Sequence, residues 1–223
     1  AKHRRAAEVP AHSVFPNIFE VIMVAPGSLG KYKPKPPTKE MYLGVLAVLL
    51  VYSVGAGYMA GTMPQGAGWR LFSWHPFLNT CGMVGMIGAG ILTKKLGGYT
   101  NTKLHGIFTW LGVIMTAAGN YCVYTHKENM GYHHFATPHA IGGGIFLFSC
   151  FALGIVGGAV LHPDFGVDKT NKTIRFAHLW SSRIILVCAW VNAFLGLTQL
   201  TTDSVVLAIY GLPLMALTPF ILM

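Results

Sequence analysis

Residues 137–161 read TPHAIGGGIFLFSCFALGIVGGAVL, a stretch with no Asp, Glu, Lys or Arg that opens on a threonine, a proline and a histidine. A bilayer core of roughly 30 Å asks for about 20 consecutive apolar residues in a helix, and this stretch supplies them. The helix therefore starts here, with His139 in its first turn. An imidazole in an apolar span is expensive in lipid and marks a functional position.

Working outward, the same reading places further spans at Tyr42–Gly61, Ser73–Thr93, Lys103–Thr125, Arg175–Leu200 and Ser204–Met223, with the quoted one running Pro138–Leu161. The fold class is an all-α membrane protein of six transmembrane helices. The chain is 53% hydrophobic and only 10% charged, whereas soluble domains carry about 25% charged residues, so a water-facing surface cannot be built. Links between spans are short, which makes residues 41–223 one bundle. Cys81, Cys122, Cys150 and Cys188 each fall in a different span and read as small buried hydrophobes, not a disulfide framework. No C-x-x-C-H occurs, so a haem would be held without thioether bonds.

Residues 1–40 differ in kind. Lys2, Arg4 and Arg5 open them, Lys31, Lys33, Lys35 and Lys39 close them, and Pro34, Pro36 and Pro37 forbid a regular helix. Between these clusters, Val14–Val24 has apolar residues near helical spacing and suggests a short surface element. Such a basic, proline-rich arm is predicted to need another chain to order it, which points to a larger membrane assembly. Its Arg-rich, acid-poor start leans toward the mitochondrial inner membrane.

Six crossings put both termini on one side. That side collects the arm cations, then Lys94, Lys95 and Lys103, then Lys169, Lys172 and Arg175, against only Arg70 and Lys127 opposite. By the positive-inside rule it faces the cytoplasm, matrix or stroma. The net charge of +9 is thereby topology, and no nucleic-acid partner is implied.

Four histidines sit within the first turn or two of successive helices: His75 in the second, His105 in the third, His139 in the fourth and His178 in the fifth. Antiparallel helices bring His75 and His139 to the sparsely charged face and His105 and His178 to the positive face, two pairs at two depths. His133 and His134, before the fourth helix, and His126 and His162, just past helix ends, read as interfacial, with His134 as the substitute for His139. Zinc would want three or four protein ligands, and the spans offer no carboxylate to complete such a set. Haem iron asks for two, and histidine on both sides leaves no position open for oxygen. Arg183, one turn beyond His178, is positioned in sequence for a haem propionate.

The pattern resembles the cytochrome b561 family, and within it the core of ferric reductases and of DOMON-linked proteins. The supporting residues, within about Trp74–Leu200, are His75-Pro76, Lys103-Leu104-His105, Thr137-Pro138-His139-Ala140-Ile141-Gly142, LHPDFGVDKTNKTIRFAHLW at 161–180 and WVNAFLGL at 190–197. The resemblance implies a four-helix haem-binding core of helices 2–5 carrying two haem b groups, with His75 paired to His139 and His105 to His178. It also implies a transmembrane oxidoreductase whose electrons enter from a small anionic reductant such as ascorbate, beside basic residues matched here by Lys94, Lys95 and Lys103. The expected function is transmembrane electron transfer. A structural subunit of a respiratory or photosynthetic complex that retains this fold is the alternative.

Overall fold

The computed structural model describes residues 36–222. The expectations for the arm up to residue 35, including the Val14–Val24 element, lie outside the described residues, as does Met223. Among the described residues six helices are long and apolar enough to cross a membrane: α1 Lys39–Gly61, α2 Leu71–Lys94, α3 Gly98–Met130, α4 Pro138–Val160, α5 Lys172–Thr198 and α6 Ser204–Leu222.

Side-chain oxygens start most of them. Thr38 Oγ1 accepts from Met41 N at 3.2 Å, Thr137 Oγ1 from Ala140 N at 3.2 Å, Asn171 Oδ1 from Ile174 N at 2.9 Å and Asp203 Oδ1 from Val205 N at 2.8 Å. Each satisfies one of the amide hydrogens left over at a helix start. Lys39 and Glu40, read from sequence as the end of the arm, belong to α1.

The largest departure from the expected spans is α3, which runs for 33 residues and is about 50 Å long at 1.5 Å per residue. The apolar stretch marks where lipid is crossed, but the helix continues through Tyr99–Lys103 and His126–Met130, since helical hydrogen bonding does not depend on apolarity. It stops at Gly131, whose φ of 66° is left-handed. His126, expected just past a helix end, is consequently inside α3, against Phe72 with ring centres 5.5 Å apart.

In α2, Thr80–Met86 form π-helical turns, and Trp190 Nε1 of α5 donates to Met83 O in that segment at 3.3 Å. Two thirds of the apolar window of α2 is buried, and none of α4's is. Thus α2 is central while α4 is peripheral, with Ile141, Ile145, Phe148 and Ile155 exposed along one face, as a lipid-facing stripe requires. Small residues allow α2 its close approaches: a Cβ on Gly82 would meet Gly112 O of α3 at 2.6 Å, and one on Gly88 would meet Leu49 of α1 at 3.0 Å. These glycines serve helix packing.

Candidate functional site

At one end of the bundle the rings of His75 and His139 face each other, with centres 6.1 Å apart and planes at 79°. Metal–imidazole bonds are about 2 Å long, so two imidazoles on opposite sides of one ion have ring centres about 6 Å apart. The pair therefore fits a group that takes two axial ligands.

The other ring nitrogens set the tautomers. His139 Nδ1 lies 2.9 Å from Asn192 O and His75 Nδ1 lies 3.2 Å from Gly119 O. A carbonyl only accepts, so each Nδ1 carries the hydrogen and each Nε2 keeps a lone pair for a metal. Asn79 Nδ2 is also 3.2 Å from His75 Nδ1, but two donors cannot share a bond; it donates to His75 O at 2.8 Å. Asn192 works in both directions, since its Nδ2 donates to His139 O at 3.2 Å. Such outer partners fix ring orientation and raise ligand basicity.

Both histidines line a cavity of about 370 Å³, within the range of about 300–1,000 Å³ typical of ligand sites. Its walls include Pro76, Met83, Ala140, Phe146, Leu147 and Ala193, with Asn79, Asn120, Tyr124 and Lys127 as polar members. Gly143 and Gly144 of α4 form part of the wall. His134, the expected substitute for His139, also lines the cavity, but its Nε2 pairs with Glu128 Oε1 at 2.6 Å and its ring stacks on Tyr124.

At the other end, His105 Nδ1 donates to Gly90 O at 2.9 Å, the same tether again. His178 lies across from Gly157 of α4, where an added Cβ would come within 3.3 Å of its Cε1. Among the described residues its Nδ1 is buried without a hydrogen-bond partner, so His178 lacks the carbonyl tether of the other three. Lys94 is close enough to both His105 and His178 to act on their charge. Among the described residues no three of His, Cys, Asp and Glu gather as a metal site.

The Arg183 guanidinium lies over Trp180, 5.3 Å from its ring centre. Lys95 is its electrostatic neighbour; burial, with Arg183 adding to it, pulls the Lys95 amine down to about 8. Lys95 Nζ donates to Phe220 O of α6 at 2.6 Å, and Lys94 Nζ to Thr102 Oγ1 at 2.5 Å. Lys103 is paired with Asp164 at 3.0 Å in the α4–α5 link. The Tyr99 hydroxyl, which also donates to Asp164, and Lys103 together hold that carboxyl below the usual carboxylate range. His162, just past α4 as expected, stacks on Phe165 in the same link.

Every one of the four histidines leans on a glycine from a neighbouring helix. A Cβ on Gly196 would lie 2.5 Å from His139 Cε1, Gly157 faces His178, and Gly119 and Gly90 provide the accepting carbonyls for His75 and His105. Gly119, Gly196, Asn192 and Lys127 were not singled out from sequence. Asn192 carried a usable signal, an uncharged polar side chain deep in an apolar span.

The family model described as eukaryotic cytochrome b561 matches residues 74–203, which contain all four histidines, their four glycines and the α4–α5 link. No curated protein matches the chain. The match covers more than half of the sequence and coincides with the helices that carry the paired imidazoles, so the chain belongs to the eukaryotic cytochrome b561 family, whose members carry electrons across membranes by means of haem.

Proposed function

We propose that this chain passes electrons between the two faces of a membrane through two b-type haems, one held by His75 and His139 and the other by His105 and His178. The observation that carries the proposal is the His75–His139 pair, at the separation two axial ligands need and with both Nδ1 hydrogens tied to backbone carbonyls. When bound, haem with two histidine ligands supplies one-electron exchange at an iron that has no open position. The protein's part is to present the lone pairs of the Nε2 atoms, to fix ring planes through Asn192, Gly119 and Gly90, and to keep water from the cavity with Met83, Phe146 and Leu147.

Electrons enter at the face that carries Lys94, Lys95 and Lys103, from a small anionic reductant of the ascorbate kind, and leave at the opposite face. Support for that direction is the cationic rim, which attracts anions within a screening length of about 8–10 Å. The arm, residues 1–40, docks on other subunits of a larger assembly, with the mitochondrial inner membrane as its setting; its composition supports this.

The test is a reduced-minus-oxidised spectrum of the purified protein with a haem-to-chain ratio. The expected ratio is two, falling to one in His75→Ala or His139→Ala and, independently, to one in His105→Ala or His178→Ala. Two haems retained in all four variants would overturn the pairing. A wild-type ratio of zero would leave a structural subunit that keeps the fold.

A further inference from the structure

Lys127 stands at the mouth of the cavity that holds His75 and His139. Asn120, Val123, Tyr124 and Lys127 all line it, and the spacing of three, one and three residues puts them on one face of α3. Lys127 is eight residues beyond Gly119, the partner of His75, or about 12 Å farther along the helix toward the membrane surface. The wall therefore runs from an imidazole tether past Asn120, Val123 and Tyr124 to a cation at its outer end.

Among the described residues that cation has no counter-charge. Its Nζ donates to His133 O at 3.0 Å, while the adjacent Glu128 is taken by His134. Among the described residues Lys127 pairs with no carboxylate. A half-buried ammonium at a largely apolar pocket is costly until an anion arrives.

We infer that Lys127 binds a propionate carboxylate of the haem held by His75 and His139. This rests on the proposed function and deepens it. Haem carries two carboxylates on one edge, and the α3 face ends on a cation at its outer end. Arg183, the sequence-based choice for a propionate, lies on α5 beside Trp180 and Lys95 and is free of this role.

The experiment compares Lys127→Gln, Lys127→Met, Lys127→Arg and Arg183→Gln in the detergent-purified full chain, with the His105–His178 haem as an internal control for folding. Haem release to an excess of apomyoglobin and the midpoint potential of each haem are recorded. A charge-assisted hydrogen bond is worth about 1.5–3 kcal/mol, so Lys127→Gln and Lys127→Met are expected to release one haem about tenfold faster or more. The same haem should shift to lower potential, because an unpaired carboxylate favours ferric iron. Lys127→Arg should restore both readings and Arg183→Gln should leave that haem as in the wild type. Unchanged release and potential in Lys127→Gln, with His75→Ala still losing one haem, would overturn this inference and leave the proposed function standing. So would unchanged release and potential with altered inhibition by free succinate, since the anion would then be a solute. A wild-type protein without haem at His75 and His139 would overturn the proposed function itself.

Discussion

His139 and Asn192 hold each other by two hydrogen bonds, Nδ1 of His139 to the Asn192 carbonyl at 2.9 Å and Asn192 Nδ2 to the His139 carbonyl at 3.2 Å. The pair locks α4 to α5 at the depth of the imidazole, so one contact fixes both a helix interface and a ring plane.

Truncation of the asparagine should separate these roles. Asn192→Ala keeps the accepting carbonyl and loses the side-chain donor, one neutral hydrogen bond of about 1 kcal/mol. The expected result is a haem-to-chain ratio that stays near two at saturating haem, with release of one haem roughly fivefold faster. Release kinetics equal to wild type would show that the side-chain half of the clamp contributes nothing.

A methyl group placed against a ring should be more damaging. Gly196→Ala sets a Cβ 2.5 Å from His139 Cε1, whereas Gly55→Ala meets nothing within 4 Å. The first should displace the imidazole and reduce the content of one haem by more than half, and the second should leave the spectrum untouched. Equal spectra for the two variants would mean that the ring tolerates displacement without losing its ligand.

The rim can be tuned in both directions through Asp164, which compensates Lys103 at 3.0 Å. Asp164→Asn frees that charge and should speed reduction by ascorbate at low ionic strength. Lys103→Gln should slow it, and salt should abolish both differences. Stopped-flow traces that are identical across the three proteins would remove Lys103 from the steering role. The Tyr99 hydroxyl and Lys103 depress the Asp164 pKa. A depressed carboxylate contributes fully above its unfolded pKa of about 3.9 and loses its contribution as pH falls through the lower folded value. The clasp thus stays closed at neutral and mildly acidic pH, and the effect of Asp164→Asn on reduction rate should be constant from pH 6 to pH 8.

The spans and the four histidines were legible because lipid makes both conspicuous: apolar runs have a minimum length, and an imidazole inside one is costly. The limits of α3 were not, because hydropathy reports lipid crossing while helix ends follow from caps such as Gly131. That difference moved His126 into a helix. The packing of Arg183 over Trp180 was not legible either, since side-chain contacts within a helix depend on rotamers that spacing alone does not set. The glycines behind the imidazoles and Lys127 at the cavity mouth were hidden for another reason. Their partners sit on neighbouring helices, and only the register between helices reveals which small residue meets which ring.

That register has a consequence for α2. Along it, His75 and Asn79 meet Gly119 and Asn120, Gly82 meets Gly112 and Thr116, and Gly90 meets His105 and Thr109 of α3. A regular helix would swing this face gradually away from a straight partner, but the wider turns at Thr80–Met86 take up the drift, and α2 keeps the same seam against α3 from one histidine pair to the other. The π segment is thus a phase joint between the two histidine-bearing ends of the bundle. Removal of one residue within it would turn Gly90 by about 100°, take the carbonyl away from His105 and leave His75 still aligned, uncoupling two sites that a single helix now holds in step.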